Sequence, residues 1–343
     1  WSLVLRSSPT NLMMMQRSRQ LLSTFSSIRL SLGHSGTGRK LFDSLHSRGF
    51  QDEEVQRLLK RITGLQLEKV FKPAKQTLEA PSYKLVSSKK LEEMRQSAEE
   101  EARMRLQMPP VLEERTPIDE VLEEDEGLAG LDTANVVFTD ITYGLNDRKR
   151  FVVVREPSGR LRKATWEERD RIMQIYIPRE RREVEVPPLF HDEQLPAVFA
   201  NERHEFLLDA ACVQFEPDAA GFLAVHQKAY EDLASTEMYD VLRSTRHFAG
   251  MAYYFSKHKR IDGLLTDMIQ RDLFDDAVDL IRLYNIIHPT SPVAQEAQTL
   301  NLDSIDLIKA YIRLDSHHSG KLELALQAWE NARTEPEAHG VAE

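Results

Sequence analysis

The sequence predicts a mainly α protein with a small α+β module: a central antiparallel hairpin followed by a C-terminal helical bundle. Three observations lead there. "VVFTDITY" (Val136–Tyr143), "RFVVVRE" (Arg150–Glu156) and "RLRKA" (Arg160–Ala164) alternate with a period of two, as half-buried strands do. From about Pro196 onward apolar residues recur at helical spacing, with short breaks at Pro217, Gly263, Pro289 and Gly320. Before the strands, Leu91, Met94, Ala98 and Ala102 make a narrow apolar stripe on an otherwise charged helix.

Taken in order, residues 1–45 differ in composition from everything after them. The first 50 residues hold seven Lys/Arg and one acid, Asp43, within a chain whose formal net charge is −10. Serines are frequent there, and Leu21, Phe25, Ile28 and Leu32 share a helical face that excludes Arg17 and Arg29. That composition is expected of a mitochondrial targeting segment; the competing reading is a disordered basic tail. The sequence opens on Trp1 rather than Met, so its start is expected to be incomplete.

Residues 50–130 read as a helical arm and acidic linker. Asp52 caps a helix over Glu53–Thr63, Val55, Leu58, Leu59 and Ile62 share its face, and Gly64 stands in the stop position. A charged helix runs from Ser88 to about Gln107 and ends at "MPP". Its stripe is too thin to bury much within its own chain, so it is expected to lie along a partner or across the body. "VLEERTPIDEVLEEDEGLAG" (Val111–Gly130) concentrates acids between prolines and glycines and reads as a solvated linker or short helix.

Residues 133–190 are the α+β module. "EPSGR" joins two strands, with Pro157 fixing φ at the first corner and Gly159 completing the turn. Thr165 and Glu168 form a capping box, so a helix starts at Trp166 and ends before Pro178. Residues 195–335 then form a C-terminal α-helical domain, with helices expected over Ala200–Gln214, Ala219–Ala234, Tyr239–His258, Asp262–Ile287, Ser291–Leu314 and Lys321–Arg333. No repeat period stands out, so a bundle is preferred to a solenoid.

Catalytic chemistry finds little support. "GHSGTGRK" (Gly33–Lys40) has the glycine separation of a phosphate loop, but Arg39 stands where its lysine belongs and Lys40 where its hydroxyl belongs. "RHEF" (Arg203–Phe206) starts like a zinc-protease helix, yet Leu208 occupies the second histidine position. The adjacent His317 and His318 diverge on a helix and are expected to border a polar loop. Cys212, the single cysteine, allows no disulfide or Cys-rich zinc site, lies two helical turns from His204, and reads as packing. The carboxylates of "RDLFDDAVD" (Arg271–Asp279) suit a cation less well than a solvated helix face. No cofactor and no metal are expected, and the longest apolar runs fall short of the roughly 18 to 20 residues of a membrane span.

A binding chemistry remains. Between Arg148 and Lys163 stand seven basic residues against one acid, Glu156. Arg155, Arg160, Arg162 and Lys163 are the hairpin's candidate RNA contacts; Arg160 and Arg162 share a strand face from which two guanidinium groups could straddle successive phosphates. The competing reading is an edge hairpin kept soluble by charge. "RSTRHFAGMAYYFSKHKR" (Arg243–Arg260) holds no acid. On a helix, Val241, Thr245, Phe248, Ala252 and Phe255 form a core stripe, opposite Arg243, Arg246, Gly250, Tyr253, Tyr254 and Lys257. The arginines and Lys257 suit phosphate, the tyrosines could stack on splayed bases, and Gly250 would admit a close backbone approach. The alternative is a basic outer face paired with neighbouring acids.

The blocks "MPPVLEER", "REPSGRLRKATWEERDR", "QFEPD", "YDVLRSTRHFAGM" and "IDGLLTDMIQRDLFDDA", in this order, closely resemble the mitochondria-specific small-subunit ribosomal protein family numbered twenty-two, over roughly residues 50–335. The resemblance implies a structural constituent of the mitochondrial small ribosomal subunit in the matrix, with ribosomal RNA and neighbouring mitoribosomal proteins as partners. It implies no catalytic residues, no small-molecule substrate and no bacterial counterpart. The rival expectation is a mitochondrial matrix enzyme with an unrecognised site.

Overall fold

The computed structural model describes residues 49–72 and 83–334. The targeting segment expected over residues 1–45, with its phosphate-loop lookalike, lies outside the described residues. The described residues divide into two compact units: an α+β unit of residues 115–186, and a helical unit that combines residues 49–72 and 83–114 with residues 187–334.

The helical unit begins with α1 (Glu53–Thr63), whose start and stop follow the expected signals. The Asp52 carboxylate accepts from the Glu54 amide at 3.0 Å, and Gly64 closes the helix at φ 71°. Val55, Leu58, Leu59 and Ile62 are buried in the unit's main core. A short α2 (Leu67–Val70) leads to α3 (Ser88–Arg105), which is capped by the Ser87 hydroxyl. Of its expected stripe only Ala102 is buried, while Leu91 and Met94 stand in solvent.

The α+β unit is a four-stranded antiparallel sheet in the order β1-β4-β3-β2, built from β1 (Val121–Glu124), β2 (Val136–Thr139), β3 (Val152–Arg155) and β4 (Arg160–Lys163). The acidic stretch expected to be linker or helix therefore supplies a strand. The reason is electrostatic: Glu124 faces Arg160 across the β1–β4 pairing, and the Glu120 carboxylate just before β1 accepts from Lys163 at 2.6 Å. Val137, Val152, Val154 and Ala164 pack with Ile172 of α4 (Trp166–Tyr176) as a small core. The capping box at its start is complete, the Thr165 amide donating to Glu168 at 2.9 Å and the Glu168 amide to the Thr165 hydroxyl at 3.4 Å.

The helical unit resumes with α5 (Leu195–Ala200), α6 (His204–Gln214), α7 (Ala220–Thr236), α8 (Phe248–Lys257), α9 (Asp262–Gln270), α10 (Phe274–Ile287), α11 (Pro292–Leu300), α12 (Ser304–Leu314) and α13 (Ser319–Thr334). α10 is its hub, packing against α1, α8, α9 and α12. Several long helices expected from periodicity are broken in two. Asp262–Ile287 breaks at Asp272 (φ 60°) and Ser291–Leu314 at Asn301 (φ 51°). Asp and Asn enter the left-handed region more readily than most side chains, so these breaks need neither glycine nor proline. Tyr239–His258 breaks at Ser244 (φ 58°), leaving Tyr239–Leu242 as a 3-10 turn. His317 and His318 border a polar loop, where their amides donate at 2.8 and 2.9 Å to the buried Asp262 carboxylate, which also receives the Tyr311 hydroxyl at 2.6 Å.

Candidate nucleic-acid interface

The β3–β4 turn is closed by Gly159, whose amide donates to the Glu156 carbonyl at 3.0 Å with φ at 86°, the left-handed position of a short hairpin loop. A Cβ on Gly159 would lie 2.1 Å from the Asp125 carbonyl oxygen. The segment after β1 thus folds over the tip, and the Gly130 amide donates to the Pro157 carbonyl at 2.9 Å. The tip is a packed turn rather than a free loop.

Arg160 and Arg162 share a face, as alternation requires, but it is the face of Val154, which pairs with Arg162 across the sheet and is fully buried. Arg162 therefore points toward the start of α4. Its guanidinium meets Glu168 twice, at 2.8 and 2.9 Å, and Glu156 at 2.8 Å. These hydrogen bonds, Glu168 first and Glu156 second, raise the Arg162 pKa above its already high value. The Arg162 bonds outweigh the upward push of burial and, with the Thr165 amide, leave the Glu168 carboxyl below its ordinary range. Arg155 pairs with Asp132, and Arg160 lies 3.5 Å from Glu124 with its side chain 42% exposed. Of the other basic residues in this stretch, Arg150 is buried and donates to the Asp140, Thr142 and Leu145 carbonyls. Arg148 and Lys149 are exposed.

In the helical unit the second basic stretch departs further from its expected faces. Arg243 is 3% exposed and ion-paired with Asp276, because it lies before α8, in the bend at Ser244, rather than on a continuous helix. The Ser244 hydroxyl accepts from the Gln66 amide at 3.1 Å and the Ser244 amide donates to the Thr63 carbonyl at 3.1 Å, which ties this bend to the end of α1 and the start of α2. Burial raises the Asp276 pKa despite Arg243. Tyr253 is buried edge-on against Phe50, ring centroids 5.1 Å apart. Phe248, Ala252 and Phe255 are buried as expected, but so are Ala249 and Met251, since α8 has neighbours on nearly every side. The space beside Gly250 is taken by the Tyr230 hydroxyl, 2.9 Å from where a Cβ would stand.

Arg246, Tyr254, Lys257, Lys259 and Arg260 of that stretch reach solvent, whereas Thr245, His247 and Ser256 are buried. Arg246 donates to Asp209 at 2.7 Å. The half-buried Tyr254 donates its hydroxyl to Glu231 at 2.8 Å, burial and that contact pushing its pKa up to about 12. Arg260 grips the same Glu231 carboxylate at 2.7 and 2.8 Å. Lys257 is exposed, 3.7 Å from the exposed Glu113. Lys259, next along, is exposed at φ 58°. Arg155, Arg160, Arg162 and Lys163 thus lie in one unit, and Arg243, Arg246, Tyr253, Tyr254 and Lys257 in the other.

The carboxylates of 271–279 are no bare helix face either. Asp279 is buried and receives Arg61 at 2.7 Å and Arg282 at 2.9 Å, while Asp272 accepts from the Trp329 indole at 2.7 Å. A grouping that sequence reading missed joins Cys212 on α6, His226 on α7 and His247 just before α8, with one donor atom of each within 4.8 Å of the others. Burial pushes the Cys212 thiol up to about 11 and the His226 imidazole down to about 4. The three residues lie 14 and 21 positions apart, so no local motif announces them.

Known proteins resemble this chain over most of its length. It is 52% identical over 285 residues to the small ribosomal subunit protein mS22 of Mus musculus, which covers 83% of this chain and 79% of the mouse protein. It is 52% identical over 283 residues to the protein of the same name from Bos taurus, covering 82% of this chain and 79% of the bovine one. Residues 48–289 also match the family described as mitochondrial 28S ribosomal protein S22, a span that takes in the α+β unit, the helical unit through α10 and both basic stretches, and the chain belongs to that family.

Proposed function

We propose that this chain is a structural, non-catalytic component of the mitochondrial small ribosomal subunit, acting in the matrix in subunit assembly and organelle translation. The observation that carries this reading is family membership over residues 48–289, joined to the names of the mouse and bovine relatives. The physics of the surface supports it. Both basic stretches are laced internally by acids, which suits a scaffold that fixes its own shape and presents only selected charges.

RNA contacts are assigned to candidates that still reach solvent: Arg160 and Lys163, with Arg155 beside them, in the α+β unit, and Arg246, Tyr254 and Lys257 in the helical unit. Arg162, Arg243 and Tyr253 serve the fold. The exposed Leu91 and Met94 of α3 suit a neighbouring protein better than RNA, since apolar side chains in contiguous exposure mark protein contacts. Residues 1–45 act as the import signal, and deleting them should leave the protein outside mitochondria. Sedimentation of the endogenous protein through a sucrose gradient tests the central reading. It should travel with the small subunit and shift when the subunit is dissociated, whereas a soluble enzyme would stay near the top.

A further inference from the structure

We propose that Cys212, His226 and His247 form a zinc site in the helical unit. One donor atom from each lies within 4.8 Å of the others. Zinc bond lengths place tetrahedral sulfur and nitrogen ligands about 3.3 to 3.6 Å apart, so loading requires side-chain adjustment of about an ångström.

The second observation is the hydrogen bonding behind the two histidines. His226 Nδ1 donates to the Phe222 carbonyl at 2.8 Å, which leaves Nε2 as the nitrogen with a free lone pair. His247 Nε2 donates to the Asp209 carboxylate at 2.8 Å, and its Nδ1, on a side chain 1% exposed, has no hydrogen-bond partner. A backbone carbonyl behind one imidazole and a carboxylate behind the other is the outer-shell arrangement that fixes the tautomer and orientation of metal-binding histidines. An orphaned buried nitrogen is costly, and a metal ion held by the lone pair of His247 Nδ1 would satisfy it.

One thiolate and two imidazoles suit zinc, and three protein ligands leave a fourth position for water. A cleft of about 360 Å³ reaches Cys212, lined also by Gln107, Phe222 and Arg246, and gives metal and water a route in. Binding displaces the Cys212 proton to solvent, the sulfur electron pair forming the bond to zinc. Asp209 faces His247 and is shared with Arg246, so its negative charge partly offsets the ion's.

The test uses the full chain, stripped with chelator and reloaded with zinc or cobalt(II). The wild type should retain one zinc per chain through gel filtration, and the cobalt form should show a thiolate-to-metal charge-transfer band. Cys212→Ser, nearly isosteric, should lose that band and that equivalent of zinc with an unchanged far-ultraviolet spectrum. Asp209→Asn should weaken zinc binding about 10- to 100-fold while keeping the band. The assignment is overturned if the wild type holds no more zinc than Cys212→Ser, if the cobalt band survives that substitution, or if the site takes copper(I) and excludes zinc.

Discussion

The Arg162 guanidinium holds both carboxylate oxygens of Glu168, at 2.8 and 2.9 Å, and so joins strand β4 to the first turn of α4. Glu168 is also the capping-box acid of that helix. One carboxylate thus serves the helix start, the helix dipole and the strand, and Glu156 completes the grip from β3's end.

Arg162→Glu should therefore destabilise the α+β unit, by about 1 to 3 kcal/mol, since it removes charge-assisted bonds and sets a carboxylate beside Glu156 and Glu168. Arg160→Glu, whose partner lies farther off and in solvent, should cost about 0.5 kcal/mol or less. Trp166 sits on α4, so in a background with Trp1 and Trp329 replaced by Phe its fluorescence during urea unfolding reports on this unit. Equal midpoints for the two variants would mean that the Glu168 contact contributes nothing.

The same contact fixes the sign of a pH dependence. The folded Glu168 carboxyl titrates below its ordinary value of 4.5, so its stabilisation is present above that pH and is lost as pH falls through the folded pKa. The urea midpoint of this unit should fall with acidification below about pH 5. Glu168→Gln should start from a lower midpoint at neutral pH and show a shallower acid limb; an acid limb of unchanged steepness would assign the effect to other carboxylates.

These contacts show where sequence reading succeeds and where it stops. Asp52, Gly64, Thr165 and Glu168 act within a few residues of themselves, so the ends of α1 and the start of α4 are legible. The face of Arg162 is not, because alternation says that Arg160 and Arg162 agree without saying which side α4 covers. A helical wheel misplaces Arg243 because it assumes a continuous helix, and the bend at Ser244 is held by the Thr63 carbonyl at the end of α1 and by the Gln66 amide, 178 positions away. The Cys212, His226 and His247 grouping is assembled by tertiary packing alone.

Arg243 should behave as a core residue. Arg243→Glu would leave the Asp276 carboxylate facing a second buried negative charge, and the helical unit should lose about 3 to 5 kcal/mol, the cost of breaking a buried pair. Arg246→Glu, with Asp209 half exposed beside it, should cost distinctly less. Thermal unfolding followed by far-ultraviolet circular dichroism separates the two. If both are equally mild, Asp276 relaxes into solvent and the pair is not structural.

Lys257 and Lys259 provide the cleanest test of RNA contact, because they are exposed and their loss disturbs little inside the fold. Lys257 pairs in charge with the solvent-facing Glu113, at 3.7 Å, and Lys259 follows on the turn after α8. The double variant Lys257→Glu, Lys259→Glu should leave the melting temperature within about a degree or two, as exposed charges contribute little to folding. Its association with small subunits should nevertheless weaken. Each phosphate contact removed should also reduce the slope of log affinity against log salt by about one. If association weakens with no change in salt dependence, the lysines meet protein rather than RNA. If association is unchanged, this face carries no contact, and the half-exposed Arg160 and Lys163 of the α+β unit become the place where the chain meets RNA.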